Sequence, residues 1–223
     1  MDAHDRLAAY YRSPEVRARI NEYCGEPPGW PSGANMLRIA GYGGVRHLTD
    51  PEGGPVPCAL AALTHLFEDG ADVCRSLADP VGTLLQLDVD YVDPGAPAEP
   101  YLHPDVCFAR LEPVYRTLHQ VFATYGARPL VVMTGRGYHF MVRFLAGGAA
   151  HAHLVGIGRI GPSLRDRYED DDSLPPLAAR MGEAHDAAGR LAEYVAHQVI
   201  RRLGGETEVP VHLIDMPAPG GGP

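Results

Sequence analysis

Asp88 and Asp90 are the residues in this chain whose type and spacing first suggest chemistry. They close the apolar run Gly82–Asp90 (GTLLQLDVD), which reads as a strand, and positions two apart on a strand share a face. Leu87 and Val89 then point the other way, into a core. Two carboxylates side by side repel, and a cation between them removes that cost. Mg²⁺ or Mn²⁺ suits such hard oxygen ligands. On this reading Asp→Asn relieves repulsion and leaves the fold as stable or more so. Asp215 repeats the pattern at the end of Val211-His212-Leu213-Ile214. If its strand lies beside the first, three carboxylates converge, enough for a two-metal site of in-line phosphoryl chemistry. Taken alone, D-x-D at a strand end also reads as a turn cap.

The second cluster is Thr134-Gly135-Arg136-Gly137-Tyr138-His139, a tight turn and the start of a return strand. The two glycines let the backbone come close to a ligand. A guanidinium at the tip can fork onto phosphate oxygens. His139 can donate to a phosphate, and Thr134 adds a hydroxyl. A purely structural hairpin needs none of the three together, although a structural hairpin accounts for the turn itself.

The elements that must hold these residues follow from pattern and punctuation. Residues 4–12 and 14–23 read as two short helices, with Ser13-Pro14 as cap and start. Residues 25–35 are a Pro/Gly loop, Met36–Ala40 and Val45–Thr49 read as strands, and Pro57–Asp69 reads as a helix. After Gly82–Asp90, the turn Asp93-Pro94-Gly95 opens a loop over 94–104. Asp105–Tyr125 is a long amphipathic helix stopped by Gly126. Pro129–Thr134 and Tyr138–Leu145 form a hairpin; 146–180 holds Gly-rich pieces and the acidic run Glu169–Asp172, which reads as a solvated loop; Glu183–Leu203 is a helix; Val209–Asp215 is the last strand. This order implies an α+β sheet with helices on one face. Gly41-Tyr42-Gly43-Gly44 fits neither dinucleotide nor P-loop spacing and reads as a plain turn.

Composition sets outer limits. With 223 residues the chain can bury a core without metal or disulfide staples. Its 45% hydrophobic against 21% charged content excludes wholesale disorder. No apolar run approaches the roughly 20 residues of a membrane span, and the charged N-terminus is unlike a secretory signal, so a cytoplasmic protein is expected. Cys24, Cys58, Cys74 and Cys107 show no C-x-x-C spacing and read as small buried hydrophobes. Every cation apart from histidine is arginine, and the net charge is −9. A polyanion must therefore be met by a local arginine cluster or by metal on carboxylates, not by a globally basic surface.

The order LLQLDVD (84–90), helix, TGRGYHF (134–140), HLID (212–215) resembles the three motifs of the archaeo-eukaryotic primase superfamily, over roughly residues 36–215. That superfamily includes replicative small primase subunits and bacterial and mobile-element primase-polymerases. Val45-Arg46-His47-Leu48 is similar to the segment those proteins carry ahead of the first motif. The resemblance implies an RRM-like palm sheet with helices on one face plus an N-terminal α/β unit. With the residue reading it gives 1–35 as N-terminal helices and loop, 36–215 as the catalytic domain, and 216–223 as a Pro/Gly tail, where either the chain is cut short or the further strands of relatives are missing. It implies a nucleotidyltransferase joining NTPs or dNTPs on a single-stranded DNA template, working with a helicase or other replication protein. Asp88, Asp90 and Asp215 would hold Mg²⁺ or Mn²⁺; Thr134, Arg136, His139 and Arg46 would bind the incoming nucleotide. Motif two carries Thr134 where serine is usual, which keeps the hydroxyl.

Two other readings compete. One is a catalytically inert nucleotide- or nucleic-acid-binding accessory member of the same fold. The other is a rolling-circle-type, metal-dependent endonuclease, for which His151-Ala152-His153 would supply the H-x-H metal pattern. A surface histidine pair is the plainer account of that tripeptide.

Overall fold

The computed structural model describes residues 3–24, 36–40, 47–48, 57–58, 72–75, 82–163, 165–166, 178–205 and 207–213. The chain is α+β. It divides into two compact units, Met1–Leu84 with Phe144–Ala184, and Leu85–Arg143 with His185–Pro223. Among the described residues no helix is long and apolar enough to cross a membrane.

The first unit opens with helices α1 (Ala3–Arg12) and α2 (Pro14–Cys24). Ser13 caps α2 as its sequence promises: its Oγ accepts from the Val16 amide at 3.4 Å and donates to Glu15 Oε2 at 2.5 Å. A small antiparallel sheet follows, built on β1 (Met36–Ala40). β4 (Asp72–Arg75) pairs along one edge of it. β2 (His47–Leu48) and β3 (Pro57–Cys58) pair with Ile39–Ala40 and Met36–Leu37, so they share the other edge. The expected helix at Pro57–Asp69 therefore fails at its start, where Pro57 and Cys58 are strand; its remainder lies outside the described residues. β4 had no clear sequence signal, being four residues with two charges.

The sheet that carries Asp88 and Asp90 has the order β5–β7–β6, with β5 at Gly82–Asp90, β6 at Leu130–Met133 and β7 at Gly137–Leu145. β6 and β7 are antiparallel, Val132 opposite His139. β5 also runs antiparallel to β7: the Tyr91 amide donates to the Arg136 carbonyl at 2.9 Å, and His139 meets Asp88. Between β5 and β6 come a single-turn helix α3 (Glu99–Leu102), inside the stretch expected as loop, and the long helix α4 (Pro104–Thr124).

In the second unit α4 covers one face of the sheet. Its buried positions Cys107, Leu111, Val114, Leu118, Val121 and Phe122 recur at three- and four-residue steps, one stripe of a helix. Tyr115, His119 and Phe122 pack against Tyr138 and Phe140, ring centroids 4.8–6.3 Å apart for the Tyr115–Tyr138, Tyr115–Phe140, His119–Phe140 and Phe122–Phe140 pairs. Gly126 ends the helix in the left-handed region at φ 68°, and the Ala127 amide folds back onto the Phe122 carbonyl at 3.0 Å. Helix α5 (Ala149–Ile157) belongs to the first unit, while α6 (Ala178–Leu203) begins five residues before the expected Glu183. The final strand expected at Val209–Asp215 is not formed over its described part: 209–213 run irregular, and Ile214 and Asp215 lie outside the described residues. Val209 packs instead as a single side chain beside Tyr91, Cys107 and Leu111.

Gly137 shows how tightly the sheet closes. A Cβ there would overlap the Val89 carbonyl oxygen, so β7 can lie on β5 only because residue 137 has no side chain. Gly189, inside α6, has nothing within 4 Å of its would-be Cβ. Gly137→Ala should therefore destabilise the chain by at least about 2 kcal/mol, the overpacking range. Gly189→Ala should stabilise it by roughly 0.5–1 kcal/mol by restricting the unfolded chain. Urea unfolding with a constant slope reads both, and equal midpoints for the two variants would refute the close-approach argument.

Candidate functional site

Strand alternation places Asp88 and Asp90 on the sheet face away from α4. Val89 between them packs on the cluster of Tyr91, Cys107 and Leu111, as its position in the sequence requires. Leu87 is only half-buried. Burial pushes the Cys107 thiol up, so this cysteine behaves as the expected inert hydrophobe.

The carboxylates do not face each other across an empty gap. Each takes a hydrogen-bonding partner from the hairpin, Arg136 for Asp90 and His139 for Asp88. Arg136 Nε donates to Asp90 Oδ2 at 2.7 Å, and its Nη2 reaches the same oxygen at 2.5 Å. His139 Nε2 lies 3.2 Å from Asp88 Oδ1. Both pairs follow from one register: Gly137 sits against Val89–Asp90, so the residue before it meets Asp90, and the residue two after it meets Asp88. Asp90 Oδ1 accepts no hydrogen bond among the described residues. Asp88 keeps its side chain 54% exposed, so its carboxylate remains open to a ligand from solvent.

These partners reverse the sign of one expectation. Repulsion between Asp88 and Asp90 is offset by Arg136 and His139, so an Asn at either position forfeits an ion pair instead of relieving strain. The hydrogen bond from His139 holds the Asp88 carboxyl below its ordinary range, against the opposing effect of burial. The same bond raises His139 above the usual imidazole value. A raised imidazole keeps its proton, and so its ability to donate from both ring nitrogens to a phosphate, to higher pH than an ordinary histidine does.

Thr134 closes the turn, its amide donating to the Gly137 carbonyl at 2.8 Å. Its hydroxyl is enclosed and has no hydrogen-bond partner among the described residues. The glycines have a packing cause that the sequence reading did not supply. Gly137 admits the β5 backbone, and a Cβ on Gly135 would lie 3.1 Å from Tyr101 Cε1. The space at both is filled by the protein itself, not by an approaching ligand. Tyr101 was not marked by its sequence, because its contact with the turn spans 34 residues (101 to 135) and depends on a missing side chain. Arg110 also escaped notice: its Nη1 donates to the Tyr91 hydroxyl at 2.8 Å behind the carboxylate strand.

The structure thus brings together Asp88, Asp90, Arg136 and His139, with Thr134 in the adjoining turn. Asp215 and Arg46 lie outside the described residues. Among the described residues no group of three or more His, Cys, Asp or Glu side chains is arranged to hold a metal ion. His151 and His153 fall on helix α5, where residues two apart point about 200° from each other. One metal cannot be gripped by both from that helix.

No family model matches the chain, and no curated protein or solved structure matches it.

The Asp88–His139 pair has a pH window set by its two shifts. The raised imidazole adds stability that is complete below its ordinary 6.5 and is lost as pH rises through the folded-state value. The depressed carboxyl adds stability that is complete above its ordinary 3.8 and is lost as pH falls through the folded-state value. The stability difference between wild type and Asp88→Asn should therefore be largest between those two limits and shrink on both sides. An NMR titration should also show the His139 pKa falling toward the ordinary value in Asp88→Asn; an unmoved titration would rule the pair out in solution.

Proposed function

We propose that this chain is the catalytic part of a DNA primase or primase-polymerase, performing template-directed, divalent-metal-dependent nucleotidyl transfer on single-stranded DNA. The observation that carries the reading is the cross-strand juxtaposition of D-x-D on β5 with the arginine and histidine of the hairpin. Metal-seeking carboxylates and phosphate-seeking cations occupy one sheet face within hydrogen-bonding distance of each other. The three-stranded antiparallel sheet backed by α4 is, on this reading, part of an RRM-like palm.

Each residue then has a role. Asp88 and Asp90 offer hard oxygen donors to Mg²⁺ or Mn²⁺, and the exposed Asp88 and the free Oδ1 of Asp90 suit that. When bound by these carboxylates, a divalent ion would supply charge neutralisation for in-line phosphoryl transfer. Arg136 forks onto triphosphate oxygens, and His139, whose hold on its proton Asp88 strengthens, donates to another. The enclosed Thr134 hydroxyl has no hydrogen-bond partner among the described residues and is the nucleotide-binding hydroxyl that the resemblance implies. Asp215 as third carboxylate and Arg46 as auxiliary cation complete the set by resemblance. NTPs or dNTPs and a single-stranded template are the partners this activity requires, and a helicase or other replication protein is a further partner by resemblance.

A second reading has its own support. Both carboxylates already carry a protein cation, and no third one joins them among the described residues. An inert nucleotide-binding member would look the same.

Primer synthesis on single-stranded DNA with Mg²⁺ or Mn²⁺ tests the proposal. Wild type should extend, and Asp88→Asn and Asp90→Asn should each abolish product. Arg136→Ala and His139→Ala should weaken nucleotide binding by about 1.5–3 kcal/mol, the range for hydrogen bonds to charged groups. Tight nucleotide binding without any product favours the inert member. Product at wild-type level from Asp88→Asn defeats the metal assignment.

A further inference from the structure

Tyr101 stands beside the turn in a way that neither core packing nor the hairpin's own closure requires. The residue is 66% exposed, although it belongs to a firmly held segment. Asp93 Oδ1 accepts from the Gly95 and Ala96 amides at 2.8 and 3.2 Å, which fixes the chain just after β5. Pro100 is buried, and the Tyr101 amide donates to the Ala98 carbonyl at 3.0 Å within the single turn of α3. The segment so pinned holds the ring edge against Gly135, at the one place where the absence of a side chain makes room for it. Arg136 is the next residue in the chain. The ring stacks on no other aromatic among the described residues, and its hydroxyl has no hydrogen bond there.

An aromatic ring that is immobilised at its base and open to solvent is a stacking platform in search of a second ring. Ordering it in advance removes the entropy a mobile tyrosine would lose on binding. The groups beside it are chosen for phosphate, and a ligand that carries phosphate at one end and a flat π-system at the other is a nucleotide. We propose that Tyr101 is a nucleobase-stacking residue, holding the base of a nucleoside triphosphate whose phosphates engage Arg136 and His139. The inference rests on the nucleotide reading of that hairpin and adds to it a residue outside every motif. Stacking strength grows with ring area, so purines gain more than pyrimidines, and inorganic tripolyphosphate gains nothing.

Calorimetric titrations with ATP, CTP and tripolyphosphate, all with Mn²⁺ in excess, decide the matter. Tyr101→Ala should weaken ATP by about five- to 150-fold, the range for one base on one aromatic ring, and CTP by less. Tripolyphosphate should bind that variant within twofold of wild type. Tyr101→Phe should keep ATP affinity within twofold, because the ring and not the hydroxyl stacks. Gly135→Ala, which displaces the ring without removing it, should fall between. At 66% exposure Tyr101 carries little of the fold, and an unchanged melting temperature certifies the variants. If wild type binds both ligands and Tyr101→Ala keeps its ATP affinity, the ring merely covers the turn and the inference is overturned. If wild type binds neither ATP nor tripolyphosphate, the nucleotide reading of the hairpin falls first and takes this inference with it.

Discussion

At Gly137 the backbones of β5 and β7 meet so closely that a methyl group would strike the Val89 carbonyl, and the site depends on that contact. It fixes the register of the two strands. In an antiparallel pair, sliding by a single residue turns every side chain to the other face. A slip here would send His139 toward the aromatic layer of α4 and Tyr138 and Phe140 into solvent. The aromatic packing on one face and the ion pairs on the other therefore enforce the same alignment. Neither could be rearranged alone.

Electrostatics complete what register begins. The chain carries a net −9, so further carboxylates crowded on one strand would ordinarily be unwelcome. The hairpin resolves this by bringing its own cations, one from the turn and one from the strand. Because both pairs are partly exposed, solvent screens them and their stability contribution is small. They can therefore be exchanged for other partners at modest cost. A resting arrangement of this kind keeps the carboxylates ionised and the cations oriented without locking either.

The legible part of the sequence was the part governed by local rules. Gly82–Asp90 was bounded correctly because an apolar run met two acids and a turn. The long helix was legible to within one residue at each end, its stop set by Gly126, whose positive φ needs glycine. Asp88, Asp90, Arg136 and His139 could be singled out because strand periodicity and hairpin spacing already imply one face. The misses are tertiary. Pro57 and Cys58 follow a helix-start pattern, yet pairing with Met36 and Leu37 overrides that propensity. Val209–Leu213 has strand composition but forms no strand, because a strand exists only where a neighbour accepts its hydrogen bonds. Gly135 and Gly137 looked like openings for a ligand, and only coordinates reveal that Tyr101 and the Val89 carbonyl occupy those spaces.

Cys107 has a use that its inertness makes possible. It lies 1% exposed beneath the strand that carries Asp88 and Asp90, in contact with the cluster that holds Val89, and its thiol is pushed up by burial. A buried thiol of that kind reacts only while the structure around it is open. Its rate of alkylation, resolved by peptide mass, is thus a clock for the opening of the floor under the carboxylates. Anything that tightens the sheet face above would slow that clock without touching the sulfur.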